Sequence, residues 1–86
     1  MTPATYAANF SKVCDTASKF LSDEHRKHVI DRAGFSLTFF QSGASTSDAA
    51  LRTVCIEAAY RELRAAAKEL NYYGNFVVTG WIPVTF

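Results

Sequence analysis

Residues 34–41 read Gly34-Phe35-Ser36-Leu37-Thr38-Phe39-Phe40-Gln41, and the hydropathy period changes there. Phe35, Leu37 and Phe39 alternate with Ser36, Thr38 and Phe40 in a β-rich composition, which predicts a strand over Phe35–Gln41. Gly34 is then the left-handed residue that closes the helix before it.

Upstream, Thr2 followed by Pro3 is a helix start, because the hydroxyl can accept from an orphan N–H and proline brings none. Tyr6, Phe10, Val13, Ala17 and Leu21 follow at steps of four, three, four and four, one apolar helical face. Ser22 with Asp23 and Glu24 caps a second helix and sets acidic residues at the positive end of its dipole. Val29, Ile30 and Ala33 form the buried side of that helix.

Downstream, Ser42 to Ser47 has loop composition, and Asp48 to Asn71 reads as the longest helix, about 36 Å at roughly 1.5 Å per residue. A helix of that length is as long as the domain is wide, so it is expected to be the spine. Its face Ala49, Ile56, Tyr60, Leu63, Ala67, Leu70 lies in a narrow arc, and Leu51, Val54 and Ala58 form a patch on the opposite side. Tyr72 to Asn75 reads as a turn. Phe76 to Phe86 reads as a second extended segment, one strand or a hairpin about Thr79-Gly80, with Pro83 confined to an edge or an end.

The fold expected is therefore α+β, a single domain over residues 1–86. Two N-terminal helices, a strand, one long central helix and a C-terminal strand or hairpin would form a small sheet completed by another chain. Charge reinforces that expectation, since no charged residue falls between Arg32 and Asp48 or after Glu69. Sheets that face water carry polar outer residues, and exposed edges are protected by lysine. Here Phe40, Val77 and Trp81 are expected on an uncharged outer face, where they would bind a second copy or another protein. The alternative is that the N-terminal helices cover that face.

The 86 residues are 49% apolar and 20% charged, with nine basic against eight acidic side chains, which excludes collagen, coiled coil and intrinsic disorder. So even a balance gives no global field for nucleic acid or anionic membrane. Two cysteines, Cys14 and Cys55, are too few for a secreted disulfide scaffold, and no signal peptide or membrane span is legible. The compartment expected is the cytoplasm.

Arg61, Arg64 and Lys68 form a basic stripe at i, i+3, i+7 beside Glu57. It reads as a solvated face or a dock for an acidic protein surface. Supplemented by Lys12, Lys19 or Arg26, it is also the basis of a second reading, nucleic-acid binding. His25 and His28 with Cys14 and Cys55 match no zinc spacing, and no P-loop, dinucleotide fingerprint, nucleophile elbow or paired-carboxylate motif occurs. Phe40 and Trp81 lack the basic neighbours of base-stacking sheets. The function expected is a small non-enzymatic protein-binding module, an inhibitor, adaptor or assembly subunit, working as a homo-oligomer through its strands, without catalytic residues, metal or cofactor.

Overall fold

The computed structural model describes residues 2–86 and contains three helices: α1 (Pro3–Phe20), α2 (Asp23–Ser45) and α3 (Ala49–Val77). No strand occurs among the described residues. The α+β expectation, with its small sheet, is overturned in favour of a helical, bundle-like arrangement.

The helix starts are built by local chemistry. Thr2 Oγ1 accepts from the Thr5 N–H at 3.1 Å and Pro3 occupies the first turn of α1. Ser22 Oγ accepts from the His25 N–H at 3.4 Å, and Asp48 Oδ1 accepts from the Leu51 N–H at 3.0 Å. Each side-chain oxygen satisfies a donor that the first helical turn leaves unpaired.

The expected strand Phe35–Gln41 is the middle of α2. Val29, Ala33, Ser36, Phe40 and Gly43 follow at steps of four, three, four and three, and all five are buried or half-buried. They continue, past Gly34, the apolar face that begins at Val29. The fourth turn of that face carries a serine where a hydrophobe is expected, which interrupts the apolar pattern. Phe35 and Phe39, the apparent alternation, are an i, i+4 pair with ring centroids 5.3 Å apart, edge to face. Thr38 Oγ1 and Ser45 Oγ donate back to the carbonyls of Gly34 and Gln41, so these hydroxyls are accommodated within the helix. Gly34 does not have a positive φ, and no left-handed cap forms there.

Contacts between Ser36 and Ala59, between Gly43 and Ile56, and between His25 and Tyr73 show that α2 and α3 run antiparallel along their length. The approach is close at Gly43, where a Cβ would stand 2.9 Å from Ile56 Cδ1 and 3.1 Å from Cys55 Cβ, so that the Ile56 side chain would have to shift. Helix α1 lies over one face of the α2–α3 pair. Tyr6 reaches both: its ring stacks on Phe40 at 4.2 Å and meets Tyr60 edge-on at 5.6 Å. Ser36 Oγ donates to the Ala59 carbonyl at 2.8 Å, so its other contact, at 2.5 Å, is an acceptor for the Tyr6 hydroxyl. Val13, Ala17, Val29, Leu63, Ala66 and Leu70 complete the interior. With a 29-residue α3, about 43 Å long, the molecule measures 46 × 21 × 15 Å.

The second expected extended segment is also replaced. Helix α3 continues through Tyr72-Tyr73-Gly74-Asn75 to Val77, held by an i, i+4 contact of Tyr72 with Phe76 at 5.1 Å. Beyond it the chain turns at Gly80 (φ 73°), the one positive φ among the described residues, and returns along α3. Asn71 takes the place of a partner strand: its Oδ1 accepts from Val84 N–H and Trp81 Nε1–H, and its Nδ2 donates to the Val84 carbonyl. A tail with a glycine bend and a proline could lie against a helix, because one side-chain amide satisfies its buried polar groups.

Burial pushes the Tyr6 phenol above its ordinary value, partly offset by the Ser36 hydroxyl. Burial likewise raises Tyr60, against the opposing pull of Arg64, and raises the Cys14 thiol, with Asp15 adding to the shift. All three folded values lie above the unfolded ones, so their contribution to stability is full below about pH 9 and lost as pH rises further. Helicity followed across an alkaline titration is expected to show stability falling above pH 9. In Tyr6→Phe the fall above about pH 10 becomes shallower. An identical alkaline slope in that variant would contradict the assignment.

Candidate interaction surface

The residues expected to share an outer face are separated. Phe40 is turned inward onto Tyr6, near the start of α1. Trp81 packs on Gly74 and meets Phe20, at the end of α1, with ring centroids 5.6 Å apart. Tyr6 and Phe20 are roughly 20 Å apart along that helix, so Phe40 and Trp81 do not share a face. Both rings are occupied by the chain's own helices, which removes the uncharged sheet face as a docking surface. Val77 is exposed at the end of α3.

The basic stripe is where the sequence pattern put it: Arg61, Arg64 and Lys68 are all exposed along α3. Arg64 and Lys68 border a cleft of about 180 Å³ beneath the returning tail, together with Val84 and Phe86. Cys14 and Cys55 are half-buried, His25 stacks on Tyr73 at 4.1 Å, and His28 is exposed on α2. Among the described residues no three His, Cys, Asp or Glu side chains are placed to hold a metal, and no helix is long and apolar enough to cross a membrane.

What the helices do bring together is the side of the α2–α3 pair away from α1. Its exposed apolar residues are Leu51 (51%), Val54 (62%), Tyr72 (61%) and Phe76 (74%) on α3, with Phe35 (58%) on α2. Between the two ends of α3, Arg32 of α2 donates to Glu62 at 3.3 Å and to Glu69 at 3.2 Å. These groups, with His28, Asp31 and Phe35, line an open groove of about 340 Å³. The ion pairs are solvent-accessible and each contributes less than about 1 kcal/mol. Their larger effect is to fix the acidic edge of α3.

No family model matches this chain, nor does any curated protein or solved structure.

The Leu51 and Val54 end of this surface was legible as a patch opposite the core face of α3. The Tyr72 and Phe76 end was hidden by reading Tyr72 to Asn75 as a turn. A usable signal was present, since Leu51, Ala58, Ala65 and Tyr72 recur at every seventh residue. A line with that spacing persists only if the helix does, and it continues past Asn71.

Proposed function

We propose that this chain is a small helical protein-binding module that works through the outer face of α3. The observation supporting it is two pairs of large apolar side chains, Leu51 with Val54 and Tyr72 with Phe76, exposed near the two ends of a helix whose other side forms the core. Paired exposed apolar residues bordered by charge point to contact with another surface more than single exposed hydrophobes, which need no explanation. Tyrosine and phenylalanine are also among the residues enriched at protein interfaces.

The nucleic-acid reading has less support. Arg61, Arg64 and Lys68 are exposed, but Glu57, Glu62 and Glu69 stand on the same helix, and three cations so flanked make few phosphate contacts. Affinity capture from the native source with the parent chain and with Leu51→Asp/Tyr72→Asp tests the proposal. Both substituted side chains are exposed; because Tyr72→Asp also removes the ring contact with Phe76, circular dichroism of the variant is compared with that of the parent. Proteins held by the parent, this chain itself included, should be lost by the variant; identical captures from both would overturn the reading.

A further inference from the structure

We infer that the occupant of this face is a second copy of the chain, with the two α3 helices side by side and parallel. This rests on reading the outer face of α3 as a binding surface and adds the partner and its orientation. Leu51, Ala58, Ala65 and Tyr72 form a nearly straight line along α3, drifting by only about 20° per seven residues. The ends of the line are large and exposed, while Ala58 is buried and Ala65 half-buried. The middle of the line carries only methyl side chains.

The charges beside this line supply the orientation. Three residues after each of the first three positions come Val54, Arg61 and Lys68, on one edge. Four residues after each of the four come Cys55, Glu62, Glu69 and Phe76, on the other. One edge is cationic and the other acidic. A two-fold axis parallel to the helices sets the cationic edge of each copy against the acidic edge of its partner. A two-fold axis that makes the helices antiparallel sets like edges together, Arg61 and Lys68 facing their own kind. Charge complementarity therefore selects the parallel pair, as flanking charges do in helical zippers. Arg32 bridges Glu62 and Glu69, so the acidic edge, two carboxylates and one guanidinium, keeps a net negative charge.

Light scattering and sedimentation of the intact chain test this across a salt series. A dimer is expected whose dissociation constant rises with added salt. Arg61→Glu/Lys68→Glu should weaken it by about a hundredfold, and so should Glu62→Lys/Glu69→Lys. Mixing these two variants should restore a heterodimer, with circular dichroism confirming that each is folded. A monomer at every concentration overturns the inference, as does a dimer that salt strengthens or that either reversal leaves intact. If the chain is monomeric while capture still depends on Leu51 and Tyr72, only the second copy is excluded. If capture is also independent of those residues, the binding surface itself is excluded.

Discussion

Tyr6→Ala is expected to reduce the unfolding free energy by about 3–5 kcal/mol, the range for truncating a buried aromatic. Domains are typically stable by about 5–15 kcal/mol, and short ones lie at the low end, so half or more of the total is at stake. The residue is 2% exposed and touches all three helices, with Phe10 on its own helix, Phe40 on α2 and Tyr60 on α3 within ring-contact distance. Removing it opens a cavity at the place where α1 is joined to the other two. The melting temperature should fall by roughly 12–40 °C in thermal unfolding followed by helicity. Tyr6→Phe isolates the hydroxyl: it leaves the Ser36 oxygen short of one donor and should cost about 1–3 kcal/mol. An alanine variant melting within about 5 °C of the parent would mean that α1 is not held through this ring.

The second large effect is expected at Gly74. In a helix interior, glycine to alanine ordinarily stabilises by about 0.8–1.0 kcal/mol. Here a Cβ would fall within the Trp81 indole, whose six-membered ring lies directly against the glycine. The ring is rigid, so the indole must leave rather than bend, and with it goes the Trp81 Nε1 bond to Asn71. Gly74→Ala is therefore expected to be destabilising by about 1–3 kcal/mol despite the better helix former. Trp81 is the single tryptophan of the chain, so its fluorescence reports the displacement directly as a red shift. Unchanged emission with a raised melting temperature would show that the tail does not rest on Gly74. Trp81→Ala provides the comparison, since in its absence the same glycine substitution should recover the ordinary gain.

Both positions fall where the sequence misled. Gly74 and Gly43 look like turn or loop residues, because glycine is poor in helices. In this molecule each is a place where a neighbour comes too close for a Cβ. Ser36 looks like the polar side of a strand, yet it is fully buried and joins α1 to α3 through its hydroxyl. The candidate surface followed the same division. Its exposed charges Arg61, Arg64 and Lys68 were legible, because they lie within a long helical period. The apolar end at Tyr72 and Phe76 was not, because its recognition required α3 to continue past a Tyr-Tyr-Gly-Asn segment that reads as a turn.

Local chemistry written in the chain determined the helix starts at Thr2 and Ser22, the buried face of α1 and the presence of one long helix over most of α3. Each depends on neighbours within a few residues, where caps and periodicity act. Only the packed structure decided that residues 34–45 extend α2 and that the residues after Gly80 lie back on α3. The intrinsic preference of serine, threonine and phenylalanine against helix is some tenths of a kcal/mol per residue. Burial of Ser36, Phe40 and Gly43 between two other helices outweighs it, and the partners that bury them, Tyr6, Ala59 and Ile56, are distant in sequence. The tail obeys the same balance, since the backbone N–H and C=O of its buried residue, Val84, are satisfied by Asn71, which no pairing rule for strands would have pointed to.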